Sequence, residues 1–290
     1  MMAIPSGRRQ QGRPDHPHHR WSPLPARPKR RFSNGAALAI CPIVSFETHE
    51  DVVPPDWPQP NWLAGGVGRR ADPNIARIGQ RDYGLRVGWD RVRESLRGAG
   101  LRYAAAIDVL TAEELPELRA SLAADVSAGT AEWVAHGISV NRPIHNAMTE
   151  MQESAYIAET GRRLAALGIT PRGWLGIEYG ESARTPALIA AAGYAYLLDW
   201  CNDEQPYRMT VPQGALTALP PFADLDDAFC FCAPRGITPQ SYGERLAAAA
   251  RGLAVDGRTS ARVLLWHMRP FLSGQPFRIG PIAEALAAMS

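Results

Sequence analysis

The sequence has 290 residues, of which 46% are hydrophobic and 21% are charged, and its formal net charge is +2. These values are typical of a folded globular protein with one barrel-sized domain or two small domains. The near balance of charge argues against a strong polyanion-binding surface, so we expect no nucleic-acid partner. No apolar run approaches the about 20 residues that cross a bilayer, so we expect no membrane span.

The basic residues are concentrated near the N-terminus. Residues 1–20 are rich in Gly, Pro, Gln, Arg and His, and we predict a disordered basic leader there, followed by a single domain over residues 21–290. Arg30-Arg31 precedes an apolar run and imitates a twin-arginine export signal, which keeps an exported protein as an alternative. The run contains Pro42 and lacks a small-residue cleavage site, so a buried first strand and a cytoplasmic location are favoured.

Apolar runs and helical periodicity alternate along the chain. Strands are predicted at Ala37–Phe46, Arg102–Ile107, around Trp133, and at Gly173–Gly176, Tyr196–Leu198 and Arg262–Trp266. Helices are predicted at Tyr83–Ala99, Thr111–Ala128, Thr149–Leu167, Thr185–Gly193 and Thr238–Gly252, with a last helix from Pro281, whereas Val52–Arg81 is predicted to be a long loop. This alternation predicts an α/β fold with parallel strands, either a barrel or a doubly wound sheet.

Polar side chains of the kinds used in catalysis follow five of the predicted strands. They are Glu47, Asp108, His136, Asp199 and His267. Barrel enzymes gather their chemistry at the carboxyl ends of several strands, so we expect these side chains to meet at one face. The four cysteines lack the spacing of a metal or redox pair and are predicted to be free thiols.

Five segments give the sequence a family resemblance. They are Arg81-Asp-Tyr-Gly-Leu-Arg-Val-Gly88, Val134-Ala-His-Gly137, Gly173-Trp-Leu-Gly176, Asp199-Trp-Cys-Asn-Asp-Glu-Gln-Pro-Tyr207 and Gly274-Gln-Pro-Phe-Arg-Ile279. Through them the chain from about Trp21 onward resembles the polysaccharide deacetylase (NodB-like) superfamily, and within it most closely the branch of metal-independent allantoinases. The resemblance implies a distorted (β/α) barrel with fewer than eight complete units. It also implies hydrolysis of a non-peptide carbon–nitrogen bond.

The sequence departs from the metal-binding motifs of that superfamily. The deacetylases carry Asp-Asp on the first strand, as base and metal ligand, where this chain has Glu47-Thr48. Their His-Ser/Thr-x-x-His motif supplies two further ligands; His136 matches the first position, but Val140 stands at the second. A catalytic zinc site needs about three protein ligands. We therefore expect no cofactor, since zinc would require His49 or His145 as a replacement ligand.

The resemblance also implies roles for the strand-end residues. The catalytic His of the family's late strand aligns with Arg269, and His267 lies two residues earlier. We expect Glu47 to be the general base, His136 to orient water or polarise the carbonyl, and His267 or Arg269 to stabilise the oxyanion or protonate the leaving nitrogen. The predicted substrate-binding residues are Glu178, Tyr179, Asp199, Trp200 and Asp203.

The expected substrate is a small molecule or a saccharide, and the sequence leaves a homo-oligomer open. The alternative function is a catalytically inactive barrel that binds a carbohydrate or another small molecule. Val140 and Arg269 favour this alternative because they replace residues that the deacetylases use.

Overall fold

Strands and helices alternate in the structure, a computed structural model that describes residues 17–57, 62–63, 66–67, 72–232 and 236–289. The strands are β1 (Leu38–Phe46), β2 (Trp62–Leu63), β3 (Gly66–Val67), β4 (Tyr103–Ile107), β5 (Ala131–Ala135), β6 (Gly173–Trp174), β7 (Tyr196–Leu197), β8 (Tyr207–Arg208), β9 (Thr217–Ala218) and β10 (Arg262–Met268). The α-helices are α1 (Ile75–Tyr83), α2 (Trp89–Gly98), α3 (Val109–Glu114), α4 (Pro116–Ser127), α5 (Glu150–Ala166), α6 (Thr185–Ala191), α7 (Asp227–Phe231), α8 (Pro239–Gly257), α9 (Pro270–Ser273) and α10 (Ile279–Ala287).

Eight strands form one curled sheet in the order β10-β1-β4-β5-β6-β7-β9-β8. All neighbours pair in parallel except β8, which is antiparallel to β9. Loop residues beside β8 and β9, at one edge of the sheet, bond back to β10 at the other edge. Phe222 N donates to Leu265 O at 2.8 Å, and Val263 N donates to Glu204 O at 2.9 Å. The result is a distorted barrel with fewer than eight complete units, which confirms the predicted fold class.

Two apolar cores lie on the two faces of this sheet. The smaller core fills the barrel interior and consists of Ile43, Ala104, Ala106, Val134, Leu175, Leu198, Val263 and Leu265. The larger core lies between the sheet and the helices and includes Val44, Phe46 and Trp266. Both faces of the central strands are therefore buried, which explains their nearly continuous apolar sequence.

Two helix predictions need correction. The helix predicted from Tyr83 begins earlier, because Asn74 caps α1 by accepting a hydrogen bond from Arg77 N; a π-helical turn, Gly84–Gly88, then joins α1 to α2. The start predicted at Thr111 for the next helix is wrong as well. Asp108 is the cap of α3, its side chain accepts from Thr111 N, and Pro116 starts a separate helix, α4.

The N-terminal arm, the described residues 17–37 before β1, runs along the barrel and packs Phe32 against the smaller core. Residues 1–16 of the predicted leader lie outside the described part of the chain. Closer to the domain, His18 O accepts a hydrogen bond from Thr210 N at 2.7 Å, and Arg30 O accepts one from Ala261 N at 3.0 Å. The described chain therefore contacts the barrel before Trp21, where the predicted domain begins.

Two further predictions concern thiols and membranes. Cys41, Cys201, Cys230 and Cys232 are all free thiols, as predicted. Within the described ranges, no helix combines the length and the apolar character needed to span a bilayer.

Candidate active site

The alternation of side chains along the strands places the predicted catalytic residues inside the barrel mouth. Inward-facing residues recur every second position. On β1 and just beyond it, Ile43 of the interior core is followed at this spacing by Glu47; on β10, Leu265 is followed by His267 and Arg269. In the same way Val134 of the interior core is followed by His136 at the end of β5. Sequence spacing could not choose between His267 and Arg269 because both face inward.

Glu47 is the carboxylate at the centre of this cluster, and it is only 4% exposed. Its Oε1 accepts a hydrogen bond from Ser45 Oγ at 2.8 Å and lies 3.8 Å from Arg269 Nε. Its Oε2 lies 3.3 Å from Arg81 Nη2. Burial by itself would raise the pKa of Glu47, but the hydrogen bond from His136 and the charges of Arg81 and Arg269 hold the pKa well below its usual range.

His136 is fully buried, and both of its ring nitrogens face acceptors. Nδ1 lies 2.8 Å from Leu175 O, and Nε2 lies 3.4 Å from Glu47 Oε1. A carbonyl and a carboxylate can only accept, so this arrangement is best satisfied by a ring with protons on both nitrogens. Burial lowers the pKa of His136, but the hydrogen bond and the charge of Glu47 outweigh it, and the pKa is raised.

Arg269 is a buried cation fixed by two carboxylates. Its Nη1 donates to Asp226 Oδ1 at 2.8 Å and to Asp227 Oδ1 at 3.1 Å. Its backbone N donates to Asp227 Oδ2 at 2.6 Å, and Ser273 Oγ donates to the same oxygen at 2.8 Å. These bonds hold one edge of the guanidinium, while Nε stays on the side of Glu47.

His267 contrasts with His136 in its hydrogen bonding. Its Nδ1 lies 3.5 Å from Asp226 Oδ2, and within the described part of the chain neither Nδ1 nor Nε2 has a hydrogen-bond partner although the side chain is 2% exposed. Burial, and then the charge of Arg269, lower the pKa of His267 to about 4. The ring is therefore neutral at pH 7, and it lies edge to face with the ring of His136, with centroids 6.2 Å apart.

Three charged residues of the site were missed by the sequence analysis. Arg81 comes from α1, a helix that was predicted to be loop, and its guanidinium lies 4.2 Å from the centroid of the Phe271 ring. Gly84 allows this approach, because a Cβ there would lie 2.6 Å from Phe271 N. Asp226 caps α7 and Asp227 is its first residue. The only sequence signal for a helix start there is this pair of adjacent acids.

Glu178 and Tyr179 line the mouth in strained backbone conformations. Their φ angles are +52° and +56°, a left-handed region that costs a non-glycine residue roughly 1 kcal/mol or more. Tyr179 Oη donates to Asp226 Oδ2 at 2.7 Å. Glu178 is close enough for its charge to raise the pKa of Arg269. Both predicted substrate-binding residues therefore lie with the cluster of predicted catalytic residues.

Asp199 and Glu181 form a neighbouring pair of carboxyl groups. Asp199 Oδ1 accepts from Gly176 N at 2.7 Å, and Glu181 Oε2 accepts from Trp200 Nε1 at 3.1 Å. The other two oxygens, Oδ2 and Oε1, are buried and receive no donor from the described residues, so they can bond to each other only when one carboxyl is protonated. Burial and the charge of Asp199 raise the pKa of Glu181, and burial raises the pKa of Asp199 to about 6.

Three solved structures match about nine-tenths of this chain. An allantoinase (Puue) matches with a TM-score of 0.76 and 21% identity, over 90% of this chain and 86% of its own. A protein from Pseudomonas aeruginosa PAO1 assigned as a polysaccharide deacetylase matches with a TM-score of 0.74 and 19% identity, over 90% and 87%. A second protein assigned as a polysaccharide deacetylase, from Mycobacterium smegmatis, matches with a TM-score of 0.71 and 23% identity, over 89% of this chain and 86% of its own.

The chain has the NodB-type barrel fold. The structural matches confirm the resemblance inferred from the sequence segments at the level of the fold. No protein-family model matches the sequence, and no curated protein sequence matches it either.

The NodB-type barrel implies a metal, but the residues present here do not fit one. Val140 is apolar and buried, and both nitrogens of His136 already face acceptors. Of the two replacement ligands, His49 has Nδ1 at 2.9 Å from Glu50 O and Nε2 at 3.2 Å from Asn141 Nδ2, while His145 packs against Trp57. Across the described ranges, no three His, Cys, Asp or Glu side chains converge in a metal-binding arrangement. We therefore derive no step through a metal.

Two predicted substrate-binding residues have structural partners instead. Asp203 accepts two hydrogen bonds from Arg27, at 2.8 and 2.6 Å, and its Oδ1 also accepts from Glu204 N and Gln205 N. Its oxygens are therefore used to attach the N-terminal arm, and we remove Asp203 from the candidate site. The ring of Trp200 contacts the rings of His18 and His19 of the same arm, with centroids 5.5 and 5.6 Å away.

Proposed function

We propose that this protein is a hydrolase of non-peptide carbon–nitrogen bonds that works without a metal. One observation carries the proposal: a carboxylate, two imidazoles and a guanidinium fixed by two further carboxylates meet inside one barrel mouth. These groups are Glu47, His136, His267 and Arg269.

Amide hydrolysis makes three demands on such a site. A water molecule must lose a proton, the carbonyl oxygen must be stabilised as negative charge develops on it, and the leaving nitrogen must gain a proton. His136 and Arg269 supply positive charge, and a neutral imidazole such as His267 can move a proton. The electrostatic interactions of these buried groups with a substrate are strong, because little water screens their charges.

We propose two substrate classes, both named after the proteins that share the fold. One is a cyclic amide or ureide, as the name allantoinase indicates, and the other is an N-acetylated saccharide, as the name polysaccharide deacetylase indicates. Glu178, Tyr179 and the Asp199–Glu181 pair are the proposed substrate contacts, because they lie beside the cluster and offer acceptors and an aromatic ring.

The experiment is a hydrolysis screen of the full-length protein after extensive chelator dialysis, with metal content measured by elemental mass spectrometry. Allantoin, hydantoins and N-acetylglucosamine oligomers are assayed by the release of acid, ammonia or acetate. We expect turnover by the metal-free protein, and a loss of at least about 100-fold in His136→Gln and in Glu47→Gln, because Glu47 supplies the charge that raises the pKa of His136. Glu132→Gln is the matched control, because Glu132 lies at the opposite end of β5 and accepts from Tyr196 Oη.

A second candidate function is a binding protein that has kept the barrel without catalysis. Val140 and Arg269, which stand where the deacetylases carry catalytic or metal-binding residues, favour it. If no compound is hydrolysed but calorimetry detects binding that Arg269→Lys weakens, this second function replaces the first. Turnover that returns only when zinc is added would contradict the metal-free mechanism.

A further inference from the structure

The two histidines of the site differ in whether their ring nitrogens have hydrogen-bond partners. His136 has an acceptor at each nitrogen, Leu175 O and Glu47 Oε1. Neither nitrogen of His267 has a hydrogen-bond partner among the described residues, and the Asp226 carboxylate lies beside Nδ1, with Oδ2 at 3.5 Å. A carboxylate beside Nδ1 favours the proton on that atom, which leaves a lone pair on Nε2. This lone pair is a buried proton acceptor without a proton.

The surroundings of His267 keep the ring in this neutral form. Asp226, the cap of α7, faces Nδ1, and the Tyr179 ring lies edge-on at 5.9 Å between centroids. The ring of His136 lies edge to face at 6.2 Å, and Arg269 and Glu47 are near enough to act through their charges. Since burial and Arg269 both disfavour a second proton on the ring, His267 can accept one only when a reaction forces the transfer.

We propose that His267, and not Glu47, is the general base of this site, with Asp226 as its positioning residue. The proposal rests on the proposed function and deepens it. It reverses the role expected for Glu47, whose carboxylate is surrounded by Arg81, Arg269 and His136 and is too well stabilised to take a proton from water. The two neighbouring histidines have pKa values shifted in opposite directions, upward for His136 and downward for His267. Such a divergence distinguishes the base of a site from its other titratable groups.

The proton balance of the step is complete without a co-reactant. His267 Nε2 removes a proton from water as the water oxygen bonds to the carbonyl carbon. Arg269 Nε–H, which has no hydrogen-bond partner among the described residues, stabilises the resulting oxyanion. The tetrahedral intermediate collapses, the carbon–nitrogen bond breaks, and the imidazolium of His267 returns the proton to the leaving nitrogen. An N-acetylated saccharide gives a carboxylic acid and an amine, a cyclic amide or ureide opens to a single carboxylic acid that keeps the protonated nitrogen, and His267 is neutral again.

The first test is independent of any substrate. Nitrogen-15 NMR of histidine-labelled full-length protein at pH 7 reports the proton state of each ring, with His136→Gln and His267→Gln used for assignment. We expect His267 to be neutral with its proton on Nδ1 and His136 to be doubly protonated. A charged His267, or a proton on its Nε2, would overturn the proposal.

The second test is kinetic and uses a substrate from the hydrolysis screen. We expect His267→Gln to lower kcat by at least about 100-fold with little change in KM. We also expect exogenous imidazole to restore part of the rate of His267→Ala, which a purely structural role would not allow. If His267→Gln keeps more than a tenth of kcat while Glu47→Gln loses it, Glu47 is the base and the proposal is wrong. If the wild type hydrolyses nothing, the proposed function fails separately, and the NMR result still decides the proton state.

Discussion

Arg269 Nη1 donates to Asp226 Oδ1 over 2.8 Å, and neither side chain is more than 1% exposed. The same Asp226 accepts from Tyr179 Oη and faces His267 Nδ1. One carboxylate therefore connects the fixed cation of the site to its neutral histidine. Because Asp226 also caps α7 through Ala228 N and Phe229 N, the position of both groups depends on where that helix begins.

Removal of the Arg269 guanidinium should destabilise the fold strongly. Arg269→Ala leaves the buried carboxylates of Asp226 and Asp227 without their cation, and breaking a buried pair in this way costs about 3–5 kcal/mol. Arg162→Ala is the matched control, because Arg162 pairs with Glu159 in an exposed i,i+3 bridge and should change stability by less than about 0.5 kcal/mol. Urea denaturation at pH 7 measures both. Similar losses in the two variants would contradict a structural role for the buried pair.

The inner face of β10 shows how far the sequence could predict the site. Alternation along the strand placed His267 at the mouth, but it placed Arg269 there equally well, and only the positions of Asp226 and Glu47 distinguish their environments. Arg81 could not be predicted as a site residue, because its contact with Glu47 joins positions 34 residues apart. The Asn74 cap of α1 was present as a signal, but the surrounding Pro- and Gly-rich stretch obscured it.

Glu47 should control the proton affinity of His136. In Glu47→Gln the charge that raises the pKa of His136 is lost, so burial should move that pKa downward. A raised histidine pKa contributes stability below about pH 6.5, and this contribution is lost as the pH rises through the folded-state value. The stability of the wild type relative to the variant should therefore fall as the pH rises above about 6.5. NMR titration of His136 together with urea denaturation at several pH values measures both effects, and an unchanged His136 titration would exclude the coupling.

The Asp199–Glu181 pair should make the fold less stable as the pH rises. The pKa of Asp199 is raised from 3.8 to about 6, so between about pH 4 and pH 6 the folded state binds more protons than the unfolded state, and stability falls with increasing pH. Asp199→Asn removes one acid, so its stability relative to the wild type should increase across this window. Asp90→Asn, at an exposed position of α2, is the control. Parallel pH profiles for the wild type and Asp199→Asn would show that the two carboxyls do not share a proton.

Asp108 illustrates a second limit of sequence-based prediction. It stands at a strand end like the catalytic candidates, yet its Oδ1 accepts from Thr111 N and its Oδ2 from Thr48 N, both at 2.7 Å. The carboxylate thereby links the end of β1 to the start of α3. A cap and a catalytic acid look alike in sequence, because the carboxyl end of a parallel strand is also where the next helix begins.

Gly137 is required by both its backbone conformation and its neighbour. Its φ is +70°, and a Cβ would collide with Tyr156 Oη, the atom that accepts from Ile138 N at 3.0 Å and donates to Arg142 O at 2.8 Å. Gly100→Ala is the matched control, because φ is +62° there but no atom lies within 4 Å of the added Cβ. Its cost should be the left-handed strain alone, about 1 kcal/mol.

Gly137→Ala should therefore cost clearly more than Gly100→Ala in urea denaturation, and it should reduce hydrolysis by displacing the adjacent His136. Tyr156→Phe removes the hydroxyl that the new Cβ meets, so the double variant Gly137→Ala/Tyr156→Phe should lose less than the sum of the two single variants. Strict additivity would mean that Gly137 acts through its backbone conformation alone and that the Tyr156 hydroxyl does not hold the loop after His136.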